Sequence, residues 1–468
     1  MIPSNQIINR SAIFVPLETV WAMVDALYSG TQTMREAGEL YLPRAPKETA
    51  NDYANRLKSS VLANFYKQAV TSTSDLVFNN GITTSNTTPT VDNFFDDVNA
   101  KGDNLETFTR EVEKSAIHYG VSYVITDFTR NSDNPITDYD RPYWSMVEAP
   151  SMIALESQMY RGVETITHIR FEETTTRAYN SAAGAADNTQ SLSYGSSLVS
   201  QIRAYWLDIY TDPNNPVVKF EIYQRPNNQE WRLVAEGVQE GITRIPIVPF
   251  YGNKTGFYIG RPLYDDLAEL NVRHWQSYSD QSNLLHYARF PILMGIGLEE
   301  RDSEGKIVEI EIGANTVVRS SNPDADLKFV EHTGKSVESG WQDIDRLEDL
   351  MTIFGPSLAV NAGGNGATAT EWVLRASSLN STLLSLSESV ENGLNHLMSF
   401  TVPYLNEAVF PEFEIDPKVL NIPDAAPQNS TETVTNNTTS IPNPARRTVN
   451  RVIEDGTQTL ANAAAASA

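Results

Sequence analysis

Between residues 260 and 400 the sequence changes its hydrophobic period twice and returns to it, and few folds accommodate that order. Residues 262–288 place Leu263, Leu267, Leu270, His274, Tyr278, Gln281 and Leu285 at steps of three and four. Residues 336–354 do the same with Val337, Trp341, Ile344, Leu347, Met351 and Phe354. Residues 370–400 repeat it with Trp372, Ala376, Leu379, Leu383, Leu386, Val390, Leu394 and Leu397. This spacing predicts three long helices, each with one apolar stripe. Pro262 suits a first helical turn, Asp265 and Asp266 suit the positive helix end, and Pro291 stops the segment.

The two interruptions differ. After Pro291 come an apolar run to Gly297, a charged turn (Glu299-Glu-Arg-Asp-Ser-Glu-Gly305), alternating Val308, Ile310 and Ile312, and short apolar runs at 316–318 and 327–330. Four short strands in about forty residues make a small β module. One helix leaves the body and the next returns, so the two are antiparallel and carry the module outward by roughly 30–40 Å at 1.5 Å per residue. The second interruption runs from Gly355 through Asn361-Ala-Gly-Gly-Asn-Gly366 and ends in Thr368-Ala-Thr-Glu371, a capping box that starts the third helix.

Upstream, an apolar helical patch covers 17–27, followed by extended residues 39–44 and one amphipathic helix over 47–78 (Tyr53, Leu57, Val61, Phe65, Val70). Residues 83–90 read as a polar loop, and 104–119 as a helix closed by Gly120. From Val121 the period becomes two. Val121–Phe128, Thr167/Ile169/Phe171 and Val218/Phe220/Ile222 read as strands of a half-buried antiparallel sheet. Residues 181–197 read as a long hairpin loop in it, and Pro246, Pro249 and Gly252 as an extended connector. Past Pro403 the pattern decays: 424–444 is rich in Pro, Thr and Asn, 446–460 allows one short helix, and the alanine-rich end frays.

The 468 residues suffice for two or three domains, and 40% hydrophobic with 20% charged residues is a globular composition. No apolar run reaches the ~18 residues of a membrane span. The first residues, Met1-Ile-Pro-Ser-Asn, lack the blocks of a signal peptide. With no cysteine there is no disulfide, thiolate metal site or cysteine nucleophile, which fits assembly in a reducing cytoplasm. The net charge of −24 and the lack of a basic run remove the footprint of a protein that grips nucleic acid. Two readings stay open: an ordinary acidic protein, or a surface that must avoid holding DNA.

Acids dominate the first two long helices: Asp265, Asp266, Glu269, Asp280, Glu338, Asp343, Asp345, Glu348 and Asp349 against Arg273 and Arg346. Such a face is either solvated surface or a negative lining along which DNA slides without adhering. The glycine loop lacks the Gly-Lys-Ser/Thr ending of a phosphate-binding loop and reads as a flexible connector. The six histidines are scattered, without a His-Glu-x-x-His pattern, and no Gly-x-Ser-x-Gly elbow occurs, so no catalytic or metal residue and no cofactor is assigned. Asp96-Asp97 and Asp138/Asp140 are the acidic pairs that a metal would use. His274, Trp341 and Trp372 read as packing residues.

Several strings, in this order, resemble the portal proteins of tailed bacteriophages over about residues 15–410. They are Tyr41-Leu-Pro-Arg44, Arg244-Ile-Pro-Ile-Val-Pro-Phe250, Gly260-Arg-Pro-Leu263, His286-Tyr-Ala-Arg-Phe-Pro-Ile292, and the glycine loop with Thr368-Ala-Thr-Glu371. The resemblance implies an α+β portal fold. Its parts are a helical and antiparallel-β wing (1–260), stem helices (261–288 and 335–354), a β clip (289–334), a tunnel loop (355–369), a long wing helix (370–400) and a helical or partly disordered crown with a flexible tail (401–468). It implies a non-enzymatic ring, of about twelve copies, at one capsid vertex of the virion. Double-stranded DNA would pass during packaging and ejection without tight binding. Partners would be the terminase large subunit, major capsid and scaffolding proteins, and head-completion, adaptor and tail proteins, with no membrane. Asn361, Gly363, Gly364, Asn365 and Gly366 would form the tunnel loop. Asp343, Asp345, Glu348, Asp349, Asp265 and Glu269 would line the stem, and Glu299, Glu300, Arg301, Asp302 and Lys306 of the clip would dock the motor. The alternatives are a metal-dependent hydrolase built on acidic clusters, or another ring component of the virion such as an adaptor.

Overall fold

The computed structural model describes residues 6–128, 141–178, 196–225, 230–239, 241–289, 292–296, 323–324, 326–330, 335–356 and 369–420. The chain divides into two units, Met1–Ile422 and Pro423–Ala468, and everything below concerns the first. In chain order the helices are α1 (Val15–Ser29), α2 (Thr31–Ala37), α3 (Ala50–Ser59), α4 (Phe65–Val77), α5 (Pro89–Phe95), α6 (Leu105–Tyr119), α7 (Asp265–Ala288), α8 (Lys335–Phe354) and α9 (Ala369–Tyr404). The strands are β1 (Thr83–Ser85), β2 (Val121–Phe128), β3 (Pro142–Glu148), β4 (Met152–Tyr160), β5 (Val163–Ala178), β6 (Ser196–Asp208) and β7 (Val217–Arg225). They continue with β8 (Arg232–Gln239), β9 (Ile247–Tyr251), β10 (Lys254–Gly256), β11 (Ile259–Gly260), β12 (Ile292–Ile296), β13 (Asp326–Val330) and β14 (Glu412–Glu414). Helices and antiparallel sheets are both present, so the class is α+β.

The strands expected to share one sheet form two. A three-stranded sheet has the order β3-β2-β9, and a five-stranded meander the order β4-β5-β6-β7-β8. The connector expected at 246–252 is the strand β9, which pairs with β2 so that Tyr123 faces Pro249. Proline lacks a donor, and β9 tolerates it because it is an edge strand. Nor is β2 half-buried: Val121 through Thr126 are all buried, with α6 and α9 both packed against the strand. Trp144 on β3 lies in this core, edge-on to Phe94 at 5.2 Å, and its indole donates to Thr401 Oγ1 on α9 at 2.9 Å.

The single helix expected over 47–78 is broken into α3 and α4. Ser60 is extended, and Asn64 caps α4 by accepting from the Lys67 amide at 2.9 Å while donating to the Leu27 carbonyl at 2.6 Å. A capping side chain with a second partner outweighs continuous periodicity. Gly38–Leu40 is a 3-10 turn rather than extended chain. α7 begins at Asp265, after Pro262 instead of around it, and α9 continues to Tyr404 with Pro403 in its last turn.

Gly120 closes α6, as its sequence suggested, with φ of 93°. A Cβ there would stand 2.2 Å from the Arg261 backbone. Its carbonyl accepts from the Gly252 and Asn253 amides, and the Leu263 amide donates to Ile117, which fixes where α7 starts. Residues 406–420 return along the body: β14 pairs with β1, and Ile415 is buried.

Candidate functional site

α7 and α8 form an antiparallel pair joined through the ladder of β12 and β13, in which Ile292 faces Val330 and Ile296 faces Asp326. The residues between these strands, including Glu299, Glu300, Arg301, Asp302 and Lys306, lie outside the described residues, as do Asn361, Gly363, Gly364, Asn365 and Gly366 of the glycine loop.

α7 does not stand free of the body. Asn271 Oδ1 accepts from the Tyr66 amide at 3.0 Å and its Nδ2 donates to the Ala63 carbonyl at 2.8 Å. Gln276 donates to the Tyr41 carbonyl at 2.9 Å, and the Ser279 and Ser60 hydroxyls meet at 2.7 Å. Arg56 completes the junction. Its guanidinium forks onto Glu48 at 2.8 Å, donates to the Pro43 carbonyl and reaches Asp280 Oδ1 at 3.1 Å. The hydrogen bonds from Arg56 hold the Glu48 carboxyl below its ordinary pKa, whereas burial raises that of Asp280. Only the part of α7 beyond Asp280 extends past these contacts.

Between the two helices, Gln281 Nε2 donates to the Val337 carbonyl at 2.7 Å, and His274 Nε2 lies 3.2 Å from Glu348 Oε1. The His274 ring is buried, edge-on to Phe65 and stacked on Tyr278, as befits a packing residue. Trp341 packs edge-on against Tyr278 yet stays part-exposed, and the Trp372 side chain is outside the described residues.

The acids of the pair do not share one face. Asp265 is engaged by Arg261, Asp280 by Arg56 and Glu348 by His274. Asp266, Glu269, Glu338, Asp343, Asp345 and Asp349 are exposed. Glu338, Asp345 and Asp349 follow one helical stripe, while Asp343, about 200° from Asp345, points elsewhere. The stripe is a repulsive surface for a polyanion and holds no chemistry beyond that.

Two polar clusters went unnoticed in the sequence because their members are far apart in it. Asp127 Oδ2 accepts from Arg203 at 2.8 Å and Tyr143 at 3.0 Å, and Arg203 also contacts Glu173 at 2.6 Å, joining the two sheets. Burial pushes the Tyr143 hydroxyl up to about 12. Asp25 accepts from the Tyr119 hydroxyl at 2.7 Å and lies 3.5 Å from His118, whose Nδ1 is 3.0 Å from the Tyr66 hydroxyl. The His118 contact lowers the Asp25 pKa against the opposing effect of burial. Of the acidic pairs, Asp97 is spent on Arg141 and on the Lys101 and Gly102 amides, and 138–140 lie outside the described residues. Among the described residues no three His, Asp or Glu side chains converge to hold a metal ion, and no helix is long and apolar enough to cross a membrane.

Residues 262–405, under a third of the chain, match a family described as Domain of unknown function (DUF4055). No curated protein matches the chain. Among solved structures it is similar to a chain of the virion of a native gene transfer agent particle, with 11% identity and a TM-score of 0.40, covering 82% of this chain and 89% of that one. A chain from the neck of the empty particle, computed with C6 symmetry, gives 11% identity, a TM-score of 0.39 and coverage of 83% and 89%. One from the neck of the native particle, computed with C12 symmetry, gives 10%, 0.37, 81% and 89%. A likeness this distant carries no functional inference.

Proposed function

We propose that the chain is the subunit of a phage portal: a ring at one capsid vertex through which DNA enters and leaves. The observation that carries this reading is the order of α7, the β12–β13 ladder, α8 and the single long α9. It is the succession of stem, clip, stem and wing helix that the sequence resemblance implies. The exposed stripe of Glu338, Asp345 and Asp349 supports a lining that repels DNA instead of gripping it. On this reading the residues between β12 and β13 dock the terminase motor, whose ATP chemistry belongs to that partner, and residues 355–369 border the channel.

Electron microscopy of the purified chain tests the proposal, with a flanged ring, a stalk and a central hole expected. A compact monomer under all conditions overturns it. A ring that binds no terminase but seats between head and tail identifies another ring component of the virion instead.

A further inference from the structure

The two faces of the β4–β8 meander are covered differently. Ile169 and Phe171 on β5 and Tyr205 on β6 join the main core. The alternate residues turn the other way, so Arg170, Ile202 and Tyr223 share the outer face, with Leu233 of β8 paired to Tyr223. Residues 6–9, which belong to no helix or strand, lie on this face. Ile7 is wholly buried in a cluster with Ile153, Ile202 and Tyr223, against which Trp231 and Leu233 pack, whereas Gln6, Ile8 and Asn9 are exposed. Arg170, itself only 9% exposed, directs its guanidinium at the same segment. Its Nη1 donates to the Gln6 carbonyl at 2.8 Å and the Ile7 carbonyl at 2.9 Å, and its Nη2 to the Asn9 carbonyl at 3.1 Å. Arg170 makes no ion pair among the described residues, and Glu156, whose charge reaches it, lies 3.5 Å from His168 Nδ1. Beyond Asn9 the chain is held separately. Arg10 donates to the Pro150 carbonyl and pairs with Glu18 at 3.3 Å, and the Ser11 amide donates to the Ile153 carbonyl at 2.8 Å.

One buried side chain therefore holds four ordered residues, and the entropy lost in ordering them offsets much of what burying that side chain contributes. Release would leave the Arg170 charge facing an apolar cup without its carbonyls. A buried charge without partners is costly, so the open site favours a replacement of the same chemistry. We propose that residues 6–9 are a latch over a peptide-binding site on the outer face of the meander. The site takes a segment of another protein whose main-chain carbonyls satisfy Arg170 and whose aliphatic side chain fills the place of Ile7. A guanidinium that reads carbonyls imposes no side-chain sequence, so the aliphatic anchor sets the selectivity. A phosphate would satisfy Arg170 but leave the cup unfilled. Arg10 and Ser11 are the hinge, and the site needs no second copy of the chain.

The test uses the full chain as wild type, Ile7→Gly and Ile7→Gly/Arg170→Met, with a fluorescent, acetylated peptide of residues 6–12 as the probe. Fluorescence anisotropy reads binding, and circular dichroism checks the fold of each variant. Ile7→Gly frees the site, so it should bind the peptide about tenfold or more tightly than wild type, in which the latch competes. Adding Arg170→Met to the chain, or Ile7→Gly to the peptide, should each weaken binding by about tenfold. Should the Ile7→Gly chain fail to fold, Ile7→Ala carries the same comparison with a smaller gain. A folded variant that binds the peptide no better than wild type overturns the latch. Undiminished binding of the Ile7→Gly peptide, or its displacement by inorganic phosphate, overturns the aliphatic anchor and leaves an anion site at Arg170.

Discussion

Around β2, α5, α6, β3 and α9 contribute large apolar side chains, with Trp144, Phe94, Phe108, Val124 and Leu397 in one continuous core. Where α7 meets α3, α4 and α8, the apolar Leu267, Ile344 and Met351 share the buried positions with Asn271, Ser279, Gln281 and His274, and Arg56 is buried beside them. Apolar burial is strong but non-directional, and many small shifts cost it little. A hydrogen bond to one particular carbonyl contributes only about 1 kcal/mol net, yet it fails if the helix rotates or slides by one residue. The body thus gains its stability from area, and the α7–α8 pair its register and orientation from direction. That division fixes the direction in which the outer faces of the helix pair point.

The largest expected effect tests the body. Trp144→Ala removes a buried indole, its contacts with Phe94 and Phe108, and the donor to Thr401. It should cost about 3–5 kcal/mol, read from the shift in denaturant midpoint at unchanged slope. A loss near 1 kcal/mol would mean that the body, like the helix pair, does not depend on packing.

Glu113 is a buried acid inside the body. It is wholly buried on α6, and burial raises its pKa to about 8 against the smaller opposing effect of the nearby Ser74 hydroxyl. The acid is therefore neutral when folded at pH 7 but ionised when unfolded. Its stability is fully present below about pH 4.5 and is lost as pH climbs toward 8, because the folded state holds the extra proton. Glu113→Gln should flatten that slope and raise stability at pH 7 by on the order of 3 kcal/mol, at 1.36 kcal/mol per pKa unit. Unfolding free energies of both proteins from pH 5 to 8 decide the matter, and parallel curves would show that Glu113 does not titrate in this range.

The regions also differ in how far the sequence revealed them. The apolar stripes of α7, α8 and α9 repeat at the helical period, so the helices could be read, with ends displaced by a few residues. Sheet membership was not readable, because Phe171 on β5 and Val124 on β2 have the same local pattern while their hydrogen-bond partners lie far along the chain. The break between α3 and α4 hid behind an uninterrupted period, since Asn64 acts through a carbonyl on α1. At the candidate site the acids were visible and their pairing was not. Asp280 reads as another lining acid until Arg56, 224 residues away, is found beside it.

Gly340 gives the smallest effect and the sharpest test of the directional half of the comparison. A Cβ on this α8 residue would stand 2.0 Å from Gln281 Oε1, so alanine forces the Gln281 amide away from the Val337 carbonyl. The lost hydrogen bond and the desolvated carbonyl cost roughly 1–3 kcal/mol. Alanine returns about 1 kcal/mol because it is the better helix former. Gly340→Ala alone should therefore destabilise by about 1 kcal/mol, with faster hydrogen exchange in the first turns of α8. In a Gln281→Ala background the clash and the hydrogen bond are both absent, and only the propensity remains. There the same substitution should stabilise by about 1 kcal/mol. A change of sign between the two backgrounds locates the contribution in one side-chain contact, whereas an equal cost in both would place it in the backbone packing of the helices and undo the contrast with the body.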